Sequence, residues 1–149
     1  MIRNFTFLAL VGLAFMAEAG AQECSLSIDG NDQIQFSAKE LRVSASCTEV
    51  ALTLRHVGDL AANIMGHNWV LSQTADWQAL AQAGMTAGAP EYLPKDDPRV
   101  IAATSVIGGG DETSITFDLS ELEAGGDYTF FCTFPGHSSL MNGKFIIEG

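Results

Sequence analysis

The chain has 149 residues, with 18 acidic against 7 basic side chains, a formal net charge of −11, a pI near 4.4 and a mean hydropathy of +0.18. That balance argues against nucleic acid as a partner and favours positively charged partners at long range. The length suits one compact domain, and no internal repeat, low-complexity tract or second domain is visible. Residues 1–21 combine Arg3 in a short basic start, an apolar run over residues 5–16 and small residues at Ala17, Ala19, Gly20 and Ala21. This is the pattern of a cleaved secretory signal, too short and wrongly flanked for stable membrane insertion. It leaves residues 22–149 as a single exported domain, placed in the periplasm.

Past the signal, strand patterns dominate. Ser25, Leu26, Ser27, Ile28 and Asp29 alternate in polarity, as do Leu41 to Ala45, while Val50, Leu52 and Leu54 share one parity. Residues 74–84 break the pattern: Thr74 is a candidate N-cap, Asp76 an acid in the first turn, and Trp77, Leu80 and Ala81 stand at helical spacing. One inserted helix is predicted there, followed by a loop through Pro90, Pro94 and Pro98. Strand parity resumes at Ile115, Phe117 and Leu119, and again at Tyr128, Phe130, Cys132 and Phe134, which places Cys132 on the core face. Turns fall at Gly30-Asn31-Asp32, Gly108-Gly109-Gly110-Asp111 and Gly125-Gly126-Asp127. The expected fold is all-β, an antiparallel Greek-key sandwich or barrel with one inserted helix.

Chemistry concentrates near the C-terminus, where CTFPGHSSLM offers a thiolate from Cys132, an imidazole from His137 and a thioether from Met141 within ten residues. Soft sulfur beside imidazole favours copper over magnesium or calcium, and two His, one Cys and a weak axial Met make up the blue-copper electron-transfer site. His67, in the strand-like MGHNWVLS, is the candidate for the second imidazole. Taken alone, each residue has a duller reading: Cys132 an inert buried thiol, Met141 core filler, His67 a satisfied strand-end histidine.

The chain resembles the azurins, small periplasmic blue-copper proteins of bacteria with a cupredoxin fold. The similarity runs through Glu23-Cys24-Ser25, Gly30-Asn31-Asp32-Gln33, Met65-Gly66-His67-Asn68-Trp69-Val70-Leu71-Ser72, Tyr92-Leu93 and Phe130-Phe131-Cys132-Thr133-Phe134-Pro135-Gly136-His137. It implies a single type 1 copper ion held by His67, Cys132 and His137, with Met141 as axial ligand. The Gly66 carbonyl should then approach from the opposite side. It implies that Asn68 and the backbone around Phe134 hydrogen-bond the ligand loop and the thiolate, orienting them. It also implies that the helix near residue 74 is a flap outside the sandwich. His56 is expected to be a structural histidine. Some relatives have proline after it, where Val57 stands here, so the resemblance does not carry a pH-linked peptide movement over to this chain.

Cysteine use fits this picture. In an oxidising compartment Cys24 and Cys47 are expected to form a structural disulfide, leaving Cys132 as the free thiol. Lipid attachment at Cys24 is the rival use, but Ala21-Gln22-Glu23 does not resemble a lipoprotein cleavage box. Residues 60–75 and 128–143, which hold the candidate ligands, contain no charged side chain. Leu60, Met65, Phe134, Pro135, Gly136 and Leu140 are therefore expected to form an apolar docking rim around His137. The implied function is a soluble, monomeric one-electron carrier serving redox proteins such as c-type cytochromes or a periplasmic reductase. Copper storage or delivery is the alternative. A thiol enzyme using Cys132 and His137 lacks a third orienting group and an oxyanion feature.

Overall fold

Alternating apolar positions pair the chain into two facing sheets in the computed structural model, which describes residues 24–149. The expected signal, residues 1–21, lies outside the described residues. Strands β1 (Ser25–Asn31), β2 (Gln35–Phe36), β4 (Glu49–His56) and β7 (Glu112–Asp118) form one sheet in the order β2-β1-β4-β7. The other holds β3 (Glu40–Ser44), β5 (Val70–Gln73), β6 (Ala102–Ala103), β8 (Tyr128–Phe131) and β9 (Asn142–Glu148) in the order β3-β9-β8-β5-β6. Helices α1 (Ala62–Met65) and α2 (Trp77–Ala87) lie in the connections flanking β5.

The sandwich is the one expected, but its sheets are mixed rather than purely antiparallel. β1 runs parallel to β4, with Ser25 opposite Ala51, and β3 runs parallel to β9, with Leu41 opposite Phe145. Side-chain alternation has period two in either direction, so the sequence pattern cannot distinguish them.

Between the sheets, Ile28, Leu52, Leu54, Trp69, Phe130 and Phe145 are almost completely buried. Trp69 packs against Phe117, Phe130 and Phe145 at ring separations of 5.9, 6.0 and 6.3 Å. All four residues of β8 are buried, because its second face is covered too. Phe131 points away from the main core into a smaller cluster with Val70, Leu80 and Ala81, against which Trp77 packs. Tyr128, Phe130, Cys132 and Phe134 face the main core, as their shared parity indicated.

Helix α2 begins at Trp77, with Asp76 at its N-cap and no side-chain capping bond. Thr74 is not the cap. Its hydroxyl lies 2.8 Å from the Asp127 carboxylate and 2.7 Å from the Thr129 hydroxyl, and it accepts from the Lys144 ammonium at 2.9 Å. That side chain is committed to the ends of β8 and β9, so helix geometry starts only after it. The single turn α1, just before the Gly66-His67 segment, is an addition to the one helix expected.

A disulfide joins Cys24 to Cys47 across 23 positions, with Cα atoms 5.8 Å apart, tying the start of β1 to the turn between β3 and β4. Replacing both cysteines by serine should cost about 3 kcal/mol, chiefly through the freer unfolded chain. Urea unfolding of the double variant measures this, and a loss under about 1 kcal/mol would show that other contacts hold the loop.

Candidate metal centre

Three segments meet at one end of the sandwich. His67 precedes β5 and is fixed by its own backbone: its N–H donates to the Ile107 carbonyl at 3.0 Å, and its carbonyl accepts from Ile107 N–H at 2.9 Å. Cys132 immediately follows β8, and His137 sits five residues on, in a turn closed by a bond from its N–H to the Phe134 carbonyl at 3.0 Å. Met141 leads into β9. Its N–H donates to the His137 carbonyl at 2.8 Å and its carbonyl accepts from Cys132 N–H at 3.0 Å, so the loop is laced to itself at both ends.

The outcome is a tight donor cluster. Potential donor atoms of His67, Cys132 and His137 all lie within 4.8 Å of one another, and Cys132 Sγ is 3.7 Å from His137 Nδ1. Met141 is fully buried, and its Cε and the His67 ring both abut Gly30. Gly66 has no space for a side chain: a Cβ there would come within 2.4 Å of the Ala62 carbonyl and 2.8 Å of the Phe134 ring.

Electrostatics prepare these groups for a soft cation. Burial lowers the pKa of both His67 and His137 to about 4. Facing imidazoles add to the lowering, His67 and His56 acting on His137, while the Asn31 carbonyl partly opposes it at His67. Both rings are therefore neutral at pH 7 and can offer a lone pair. Burial also raises the Cys132 thiol to about 11, against the backbone N–H groups of Asn68 and Phe134, which favour the thiolate. A metal ion reverses that balance by binding the deprotonated sulfur.

One atom tests whether a metal fits. His67 Nε2 lies 2.9 Å from the Asn31 carbonyl and must donate to it, so Nδ1 is the bare acceptor. That Nδ1 is buried and has no hydrogen-bond partner. An orphaned buried acceptor is costly in a folded protein unless something electrophilic meets it. With a thiol, a second imidazole and a thioether beside it, the donor set fits copper.

Asn68 joins the two ligand-bearing segments. Its Oδ1 accepts from Thr133 N–H at 2.8 Å, and its Nδ2 donates to Thr133 Oγ1 at 2.7 Å and to the Glu91 carbonyl at 3.2 Å. Asn68 was picked out in the sequence, whereas Thr133 was not. The available signal was weak, since Thr133 is one of two threonines, with Thr129, in the mostly aromatic run from Tyr128 to Phe134.

The expected rim is only partly at the surface. Leu60, Pro135, Gly136 and Leu140 are exposed and Met65 is half-buried, but Phe134 is buried against Tyr92 and His137, at ring distances of 5.0 and 4.7 Å. Ile64, overlooked in the sequence, is 60% exposed. His56 is buried and structural. Its Nε2 lies 2.9 Å from the Met65 carbonyl, its Nδ1 accepts from Gly58 N–H at 3.1 Å, and its ring stacks on His67 at 4.4 Å.

Comparison with known proteins agrees with the geometry. Residues 22–148 match the family described as copper binding proteins, plastocyanin/azurin family. The chain belongs to that family. It is 53% identical over 131 residues to an azurin of Bordetella pertussis, covering 87% of each chain. To azurin-1 of Alcaligenes xylosoxydans xylosoxydans it is 56% identical over 122 residues, covering 81% of this chain and 95% of that one. To an azurin of Pseudomonas aeruginosa it is 47% identical over 149 residues, covering 99% of this chain and 100% of that one. This family member is thus a blue-copper electron-transfer protein with one copper ion as cofactor.

The lowered imidazole values have a measurable consequence in the metal-free protein. The unfolded chain binds protons at these histidines below pH 6.5, the folded chain only below about 4. Stability should therefore be full above pH 6.5 and decline as pH falls towards 4, by up to about 3 kcal/mol for each histidine and less where solvent screens the ring. Urea unfolding of metal-free protein across that range measures it. A flat profile would mean that the folded rings protonate as freely as unfolded ones.

Proposed function

We propose that copper is held in this protein by His67, Cys132 and His137 as close ligands, with Met141 and the Gly66 carbonyl as weak axial neighbours. The observation that carries this reading is the orphaned, buried Nδ1 of His67 beside the Cys132 thiol and the second imidazole. Bound copper supplies a one-electron couple between Cu(I) and Cu(II). The protein's contribution is to keep the donors in one place. Asn68 and Thr133 lock the His67 and Cys132 segments together, and the bonds between Met141, Cys132 and His137 hold the loop. Four side chains and a carbonyl would leave no open position for a substrate, which favours a carrier over an enzyme.

Electrons would pass through His137. It is 3% exposed, whereas His67, Cys132 and Met141 have no exposed surface. Around it, exposed Leu60, Ile64, Pro135, Gly136 and Leu140 offer an apolar face on which a redox partner can dock with little charge to desolvate. Partners would be redox proteins such as c-type cytochromes or a periplasmic reductase. Residues 22–149 would act there as one soluble domain after removal of residues 1–21. The Cys24–Cys47 disulfide supports an oxidising compartment, and among the described residues no helix is long and apolar enough to cross a membrane.

Cys132→Ser should abolish the intense blue absorption, because the thiolate supplies both the strongest soft bond and the charge-transfer colour. An optical spectrum at full copper loading checks this, and a surviving blue band would remove Cys132 from the ligand set. Met141→Leu should keep the colour and raise the reduction potential, since a weak donor that favours the oxidised ion is lost. Voltammetry giving a lowered potential would count against Met141 as the axial ligand.

Docking is tested separately. Leu60→Asp and Leu140→Asp should leave the copper spectrum unchanged while slowing electron self-exchange about tenfold or more, because a charge must be desolvated at the contact. Unchanged self-exchange in both variants, followed by magnetic resonance line broadening, would mean that electrons cross another face.

A further inference from the structure

We infer that Lys39 is a specificity-determining residue of the docking face: it ties the exit limb of the ligand loop to β3 and offers a positive charge that selects a carboxylate on the partner. This rests on the docking face proposed above. The Lys39 ammonium donates to the Leu140 carbonyl at 2.6 Å and to the Asn142 carbonyl at 3.2 Å, spanning the loop residue Met141. Its main chain is fixed as well. The Lys39 carbonyl accepts from Lys144 N–H at 2.8 Å, and a Cβ on Gly143 would fall 2.5 Å from that same oxygen. The charge is therefore held beside Leu140, which is 55% exposed and part of the apolar face.

Lys39 combines a held ammonium with the absence of a counter-charge; among the described residues Lys95 also lacks an ion pair, but no hydrogen bond fixes its side chain. Arg42 pairs with Glu40 and Glu148, Arg55 with Asp29, Arg99 with Asp97, and Lys144 with Asp127. Among the described residues no carboxylate forms an ion pair with Lys39; its two partners are carbonyl oxygens, which carry no formal charge. An ammonium has three N–H donors, so one more can be offered outward. Apolar contact alone is non-directional, and the strongly acidic surface draws basic partners without choosing a rotation. A fixed cation at one edge of the face supplies that choice, and the group it recognises is a carboxylate at the rim of the partner's redox edge.

The test uses the copper-loaded protein and two small redox reagents of opposite charge, hexacyanoferrate and tris(phenanthroline)cobalt, in stopped flow at low and high ionic strength. Lys39→Gln should slow exchange with the anion and speed exchange with the cation, each by about threefold at low salt, and the contrast should shrink at high salt. Lys39→Arg should stay near wild type. So should Lys95→Gln, which makes the same change in net charge elsewhere. In a parallel measurement, titrating the reduced protein with redox-inert hexacyanocobaltate should move amide resonances near Lys39 and Leu140, and Lys39→Gln should abolish those shifts. Equal effects of Lys39→Gln and Lys95→Gln would overturn the inference in favour of net charge. Slowing with both reagents, or an altered copper spectrum, would reduce Lys39 to a loop tether and equally refute charge selection. If Leu140→Asp leaves both reagent rates unchanged, the docking face itself is wrong; if they respond to Leu140→Asp but not to Lys39→Gln, only the role of Lys39 falls.

Discussion

A pair of buried hydrogen bonds between Asn68 and Thr133 brings together chain segments 65 positions apart. One segment carries His67 and the other Cys132, and neither donor set is complete without the other. The pairing is reciprocal: backbone N–H to amide oxygen, amide N–H to hydroxyl oxygen. Breaking it would strand several polar groups inside a dry environment, at a cost of about 1–3 kcal/mol for each. That asymmetry makes the contact a reliable constraint. The positions of sulfur and imidazole then follow from the backbone, which the sandwich holds rigidly.

Burial sets the chemistry of the cluster as well as its shape. Withdrawal from water keeps His67 and His137 neutral, so the imidazoles disfavour protons and remain open to a Lewis acid, whereas the thiol holds its proton until an ion displaces it. Among the described residues two buried side-chain nitrogen atoms lack hydrogen-bond partners, and they differ in meaning. His67 Nδ1 belongs to a residue clustered with Cys132 and His137, where a copper ion held as proposed would give it a partner. Trp69 Nε1 lies in the aromatic core, where the contacts of a large ring with Phe117, Phe130 and Phe145 offset one lost hydrogen bond.

The surface divides its labour in a similar way. The acidic residues act at a distance, whereas the segments that carry the candidate ligands are free of charge and, on the proposed docking, would meet partners at contact range. Helix α1 adds to this end by presenting Ile64 outward, next to the segment that carries His67. Long-range attraction and short-range fit thus reside in different residues. Substitution can therefore alter one without disturbing the other.

Features carried by neighbours in sequence were legible without coordinates. Residue types in CTFPGHSSLM and GHNW, strand parity at Val50, Leu52 and Leu54, and the helical spacing of Trp77, Leu80 and Ala81 all express local stereochemistry. The export signal and the odd number of cysteines extended that reading to the pairing of Cys24 with Cys47, which the structure contains. Only the tertiary structure decided the rest. Parallel pairing of β1 with β4 and β3 with β9 depends on where crossovers pass, and side-chain alternation is blind to strand direction. Thr74 became a link to Asp127 and Thr129 instead of a cap because residues 53 and 55 positions away competed for its hydroxyl. Phe134 turned inward onto Tyr92, Thr133 met Asn68, and Lys39 reached a carbonyl 101 positions away. Such contacts arise when packing closes long loops, and the free energy that selects them resides in partners that no local window of sequence contains.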